Sequence, residues 1–274
     1  MSEFISHRPG IILALLLLAL AEFFWRTRIA RKGYDVRASL ASLGVAAGGA
    51  LIKPLTAGVT ASVFLWLQPY ALFPMALGDW RVWMAGFIAV EFTYYWFHRW
   101  SHLINWLWAS HAVHHSATEL TLPAAVRLGW TGLISGGWLL FAPLIIIGFP
   151  PLMVAVLLAG NLLFQYGLHT EAIGRLGILE HIFNTPSHHR AHHASDTAWL
   201  DCNFGGVLIV FDRMFGTFVP EPAGGGLHYG LVKPITSNNP LRIALQTWLD
   251  LATSFGRATT WRERGKALFG RPSA

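Results

Sequence analysis

Three histidine clusters stand out in the chain: His98-Arg-Trp-Ser-His102, His111-Ala-Val-His114-His115 and His189-Arg-Ala-His192-His193. On a helix, residues at i, i+3 and i+4 share a face, so each cluster aims its imidazoles at one region. Imidazole nitrogen suits iron, zinc and copper. Eleven of the 13 histidines lie between His98 and His193, more nitrogens than one ion needs, which points to a site with two metal ions. The HxxxH spacing of His98 and His102 is also a zinc-protease cue. That chemistry requires a glutamate directly after the first histidine, where this chain has Arg99. The single cysteine, Cys202, excludes an intrachain disulfide and leaves no thiolate set for zinc or an iron–sulfur cluster. His7 and His228 fall outside the pattern, and His181 lies upstream of the last cluster.

The elements that must position these groups are apolar. The chain is 54% hydrophobic and 12% charged, about half the charged fraction of an ordinary soluble domain. Apolar stretches at Ile11–Trp25, Leu55–Phe73, Val82–Phe97, Trp130–Phe149 and Leu152–Leu168 approach the roughly 20 residues a membrane span needs. The expected fold is therefore all-α: a multi-pass membrane bundle of four to five spans with a helical cap that carries the two-metal site. The Gly- and Ala-rich stretch Leu40–Ile52, followed by Lys53-Pro54, either continues into a kinked long helix or forms a separate short one. Ala19-Leu20-Ala21 resembles a signal-peptide cleavage site. The basic residues Arg26, Arg28, Arg31, Lys32 and Arg37 follow the apolar run rather than precede it, so a retained anchor is expected. That basic run also sets an orientation, because Lys and Arg beside spans stay cytoplasmic. Following the chain from there puts every histidine cluster at the cytoplasmic boundary, in what is expected to be a bacterial inner membrane. The net charge of +6 is spread over loops and the tail, which suits anionic headgroups better than nucleic acid. One domain over 1–274 is expected, with its histidine core at about 80–235 and an amphipathic, basic tail at 236–274. The tail helix, Leu241–Phe255, fits either the membrane interface or packing on the cap. The apolar run Gly205–Phe211 fits a buried helix or a strand.

Polar residues inside apolar segments are the remaining chemical candidates. Asn161, Gln165 and His169 recur every four residues along the last span, a stripe expected to face the bundle interior or a cavity. His169 is placed to reach the metals. Asn161 and Gln165 would hydrogen-bond ligands or water, or else tie helix to helix. Glu91, two turns before His98, would orient a ligand histidine through its ring N–H, or else pair with an arginine. Glu171, Asp201 and Asp212 are candidates of the same kind.

The run from His98 through Asn184-Thr-Pro-Ser-His188-His189-Arg-Ala-His192-His193 resembles the fatty acid hydroxylase/sterol desaturase superfamily. The likeness extends through His169-Thr170-Glu171 and Asp201-Cys-Asn203-Phe-Gly-Gly-Val-Leu-Ile-Val-Phe-Asp212-Arg-Met-Phe-Gly-Thr217, over about residues 80–235. The resemblance implies a membrane-bound enzyme with two iron ions that uses O₂ and two electrons to hydroxylate or desaturate a lipid. It implies His98, His102, His111, His114, His115, His189, His192 and His193 as metal ligands, with His169 and His188 as further ones. No haem-binding motif is present, so a separate electron donor, of ferredoxin or cytochrome b5-reductase type, is expected beside the membrane lipid substrate. The 170–217 stretch is nearest in motif to the alkylglycerol monooxygenase-like branch, although Leu103 stands where that branch carries an acidic residue. Hydroxylation is favoured over desaturation on that likeness. A polytopic metal transporter is the reading from a different class; it would spread its histidines through several spans, whereas these lie at span ends.

Overall fold

A computed structural model describes residues 8–272, and among these every regular element is helical. Helix α1 (Arg8–Phe24) runs into a π-turn at Trp25–Ile29. Helix α2 (Val36–Leu67) starts at an Asp35 cap, whose carboxylate accepts from the Ala38 amide, and passes through Pro54 without breaking. The stretch Leu40–Ile52 and the following apolar stretch are thus one helix, about 48 Å long at 1.5 Å per residue. Gly44 and Gly48 serve packing. The Trp130 ring lies on Gly48, where a β-carbon would come within 2.2 Å, and the Trp130 indole donates to the Val45 carbonyl at 2.7 Å.

Helix α3 (Trp80–Leu103), capped by Asp79, and helix α4 (Asn105–His115) meet at a sharp bend around Ile104. The expected span Trp130–Phe149 is not one helix. It consists of Gly132–Ser135, a 3-10 turn at Gly137–Phe141 and Ala142–Ile147, interrupted where Gly136 and Gly148 take positive φ. Gly148 has a second reason to be glycine: a β-carbon would sit 1.9 Å from the Phe73 carbonyl oxygen. Helix α5 (Pro151–Tyr166) follows, then α6 (Pro186–His192), α7 (Val210–Phe215), α8 (Pro240–Arg257) and α9 (Trp261–Phe269). The run Gly205–Phe211 is a loop that leads into α7, with an isolated bridge from Leu208 to Phe183.

Two segments, Gly10–Ile29 and Val36–Tyr70, are long and apolar enough to cross a bilayer; Gly137–Ile147 and Pro151–Tyr166 are apolar but shorter. Their outward faces are bare hydrocarbon, with Leu17 56%, Leu51 84% and Leu152 62% exposed. This suits a lipid solvent, in which no hydrophobic penalty attaches to exposed Leu and Ile.

The bundle has two ends. At one, the amides of Leu72, Phe73 and Met75 donate to the carbonyls of Ile146, Ile147 and Gly148 at 2.8–3.1 Å. A core of Phe64, Val90, Tyr94, Ile145, Phe149 and Met153 lies above that end. At the other end sit the histidines. There α8 packs Ile243 against Ala41, Val45 and Val113 of α2 and α4, so the tail helix is part of the cap. The Gly270 and Ala267 carbonyls accept from Asn105, pinning α9 to the start of α4. The first helix is fastened to the histidine end by charge. Buried Glu22 accepts from the Thr170 hydroxyl and from the Leu122 amide (2.7 Å), and Arg26 pairs with Glu171 and Glu119. Replacing Glu22 with Leu leaves two buried donors unpaired, each worth about 1–3 kcal/mol. Glu22→Leu is expected to lower the thermal unfolding midpoint of the detergent-solubilised protein by several degrees, and Glu22→Gln, which keeps an acceptor, by less.

Candidate metal centre

One face of α3 carries Glu91, Tyr94, His98 and His102, all buried, and delivers the two histidines to the cap from below. Helix α4 returns after the bend at Ile104 and brings His111, His114 and His115 alongside. Helix α6 begins at Pro186, whose fixed φ suits a first helical position, and contributes His189, His192 and His193. His169 arrives just past the end of α5.

These nine histidines form two groups. His98, His102, His111, His115 and His192 make one, and His114, His169, His189 and His193 the other; within each group, one ring nitrogen per residue lies within 4.8 Å of all the rest. The two HxxHH motifs are used crosswise. Each gives its i and i+4 histidines (111 and 115, or 189 and 193) to one group and its i+3 histidine (114 or 192) to the other. The α3 pair completes the first group and His169 the second. The groups touch where the His115 and His193 rings stack with centroids 4.3 Å apart.

Hydrogen bonds fix which nitrogen of several rings faces inward. Nδ1 of His98, His169 and His192 lies 2.8, 2.7 and 2.7 Å from the carbonyl oxygens of Phe204, Gln165 and Cys202. A carbonyl only accepts, so each Nδ1 carries the proton and each Nε2 presents a lone pair to its group. His102 Nδ1 faces Asp201 Oδ1 at 3.4 Å in the same sense. The Nε2 atoms of His102 and His192 are buried and without any hydrogen-bond partner. Unpaired acceptors in such a place are costly unless a cation meets them. The inward nitrogens approach one another at 3.0 Å (His98–His111) and 3.1 Å (His169–His114, His169–His189). Two ligands on one ion at about 2.1 Å and a right angle stand about 3.0 Å apart. The donor set thus fits two nitrogen-liking metal ions, one in each group.

Burial holds these imidazoles below their ordinary pKa; neighbouring histidines depress most of them further, Asp201 partly offsets burial at His102, and His169 falls to about 4. Neutral rings are what ligation requires. Asp201 is held below the usual carboxylate range: burial raises it, but hydrogen bonds from His102 and Arg271 outweigh that.

The loop 201–205 supplies two of the orienting carbonyls, and its shape has a cause. Asp201 and Asn203 take positive φ (57° and 54°), a conformation that Asn and Asp tolerate better than other side chains. Asn203, fully buried, holds the loop by donating to the His188 and Val219 carbonyls. Asp212 accepts from the amides of Phe204 and Gly205, both at 2.7 Å, and from the Thr217 hydroxyl. Its burial raises its pKa to about 6.

Glu91 does not touch a ligand histidine. Its carboxylate accepts from Asn161 (2.6 Å) and from the amides of Val207 and Leu208 (2.7 and 3.1 Å). Gln165 donates to Asn161, and Tyr94 donates to Gln165. Glu91, Asn161 and Gln165 therefore form a buried chain that joins α3, α5 and the 205–208 loop and ends one helical turn before His169. His188 stands outside both groups, against Phe218 and 3.9 Å from Glu180, with burial lowering it to about 4. His181 is exposed, His228 pairs with Asp196, and His7 lies outside the described residues. Cys202 is buried, which pushes its thiol up to about 12. The sequence gives no cue to the carbonyl orienters or to Trp108, whose ring lies 5.1 Å from that of His102.

Two outcomes follow from this geometry. His98→Ala and His169→Ala each remove a ligand from one group and are expected to lower bound metal from two ions per chain to one or fewer. His188→Ala should keep both, as measured by elemental analysis of purified protein. Because the folded imidazoles titrate well below 6.5, stability and metal retention are full above that pH. Below it the unfolded chain takes up protons that the folded site refuses, so both fall from pH 6.5 toward 4. Unfolding midpoints and metal content at pH 7.5, 6 and 5 check this.

Residues 83–217 match the family model for fatty acid hydroxylases. Similar curated proteins include the alkylglycerol monooxygenase of Homo sapiens, 36% identical over 214 residues, covering 78% of this chain and 47% of the relative. That of Danio rerio is 43% identical over 177 residues, 65% of this chain and 39% of the relative. The ornithine lipid hydroxylase OlsE of Rhizobium tropici is 32% identical over 148 residues, 53% of this chain and 44% of the relative. The chain spans about half the length, or less, of these relatives. No solved structure matches it. The matched segment holds all nine converging histidines together with the loop and the acid that orient them, and the chain belongs to the fatty acid hydroxylase family.

Proposed function

We propose that the protein is a membrane-embedded monooxygenase that hydroxylates a lipid at a site holding two iron ions. The reaction balances as R–H + O₂ + 2e⁻ + 2H⁺ → R–OH + H₂O, with the electrons from a separate donor protein. The observation that carries this reading is the pair of all-nitrogen sites formed by nine neutral histidines, eight of them buried and His111 half-buried. Hard carboxylate ligands are absent from both groups, which disfavours magnesium and calcium and suits iron, zinc or copper. Relatives named for lipid oxidation favour iron among these. Two ferrous ions bound there would supply the reduction of O₂ that C–H hydroxylation needs.

The chain's own residues do the rest. The carbonyls of Phe204, Cys202 and Gln165 hold His98, His192 and His169 in one tautomer, so no ligand must reorganise during turnover. The Glu91–Asn161–Gln165 chain keeps α3 and α5 in register beneath the site. The apolar helices deliver the lipid: α1 and α2 cross the bilayer, and α3, α5 and the broken segment between them complete the bundle. The basic run Arg26–Arg37 stays on the cytoplasmic side, which puts the site at that boundary. An alkylglycerol is the first substrate to test, since several relatives are named for it.

The test is incubation of the purified, iron-loaded protein in nanodiscs with a chemical reductant, ¹⁸O₂ and a panel of lipids including an alkylglycerol. One ¹⁸O atom in the lipid product, with about two irons per chain, is expected. A double bond without label would convert the assignment to desaturation. Zinc as the resident metal with no O₂ consumption would falsify the oxygenase reading.

A further inference from the structure

The end of α9 is fastened beside the first histidine group. Asn105, the first residue of α4, donates through its side chain to the Ala267 carbonyl (3.0 Å) and through its amide to the Gly270 carbonyl (2.9 Å). The chain is tight there: a β-carbon at Gly270 would lie 2.3 Å from the Lys266 carbonyl oxygen. The next residue, Arg271, donates to Asp201 Oδ2 at 2.5 Å. Asp201 Oδ1 faces His102 Nδ1 at 3.4 Å, and His102 Nε2 is the buried nitrogen that meets no hydrogen-bond partner. One carboxylate thus links a residue at the edge of the cap to a ring of the first group. Arg271 lies outside residues 83–217, which match the family model.

The way Asp201 is held sets it apart from the other carboxylates around the site. Asp212 accepts from two amides and a hydroxyl, and Glu91 accepts from two amides and Asn161. Among the described residues, Asp201 meets only His102 and Arg271, and no backbone amide fixes its side chain. The Arg271 side chain is 67% exposed, so the ion pair by itself adds little to folding stability. What it can do is fix the torsion of the carboxylate. A cation on Nε2 draws charge from the ring and makes Nδ1–H a stronger donor, so an acceptor held in line with that N–H strengthens ligation. We propose that Arg271 is a positioning residue of the metal centre. It holds Asp201 on the Nδ1–H of His102, which keeps that ring in one tautomer with its lone pair in the first group. The inference rests on the two-metal reading of the histidines and not on oxygenation.

The test is the cobalt(II) affinity of the full chain in phosphatidylcholine nanodiscs, stripped of metal and titrated against a competing chelator. Partners of ligand histidines are typically worth about 10–100-fold in metal affinity. Asp201→Asn, which tolerates the same positive φ, is therefore expected to weaken cobalt binding by about 10-fold or more. Arg271→Gln acts one step further out and should weaken it by about three-fold or more. Arg271→Lys, which keeps the charge and loses the planar fork, should cost less than Arg271→Gln. The double variant Asp201→Asn/Arg271→Gln should bind cobalt as Asp201→Asn alone does, because Arg271 acts through the carboxylate. Arg262→Gln, on the exposed surface of the same helix, should leave the affinity unchanged. Unchanged affinity in Arg271→Gln, a loss that adds in full to that of Asp201→Asn, or an equal loss in Arg262→Gln overturns the proposal. Wild-type protein that takes up no cobalt overturns the metal centre and the proposal with it. Two cobalt ions per chain with the expected order of affinities uphold the proposal whatever a lipid-oxidation assay shows.

Discussion

Nine imidazoles converge in the cap, and four of them, His98, His102, His169 and His192, turn Nδ1 to an acceptor and leave a lone pair facing inward, an arrangement that positive charge between them would stabilise. That electrostatic demand organises the molecule. The inward nitrogens of His102 and His192 are buried and meet no hydrogen-bond partner. The three carbonyls that fix the tautomers add to the demand, because every proton they draw to Nδ1 leaves another bare Nε2 facing inward. Where the tautomers are fixed, at His98, His169 and His192, the donor is sent outward and an acceptor is left facing inward, which suits a cation.

Holding that arrangement takes the rest of the cap. The 201–205 loop spends two non-glycine residues in a left-handed conformation to present its carbonyls, and Asn203 and Asp212 stabilise it from both sides. Glu91 closes the next loop onto α3 through two backbone amides. Glu22 and Arg26 bring the first membrane helix to the residues directly after His169. Each is a buried polar group with its partners supplied, the condition for such groups to rigidify a site rather than weaken it.

Much of this is legible in the sequence, and what is not has physical causes. The histidine spacings disclose two converging sets because helical periodicity is local. They do not disclose the crosswise sorting of His114 and His192, which depends on how α4 and α6 face each other. His188 adjoins a ligand in sequence yet points to Phe218, because consecutive helical residues lie about 100° apart. The stretch Trp130–Phe149 reads as a span by hydropathy alone. Gly136 and Gly148 break it, and the need for Gly148 comes from a contact with Phe73, far away in the chain. Glu91 looks like a ligand orienter from its position below His98, but its partners are backbone amides on a loop more than a hundred residues later. Family resemblance supplied the ligand set; the supporting carbonyls leave no trace in residue identity, since every residue has one.

The crosswise use of the two HxxHH motifs has a thermodynamic consequence. Helices α4 and α6 each serve both groups, so an ion held in one group would fix the backbone of both helices and thereby shape the other. The ordering entropy would be met once and shared by two binding events. Affinities at the two positions would then be coupled in both directions, and the centre would fill and empty as a cooperative unit.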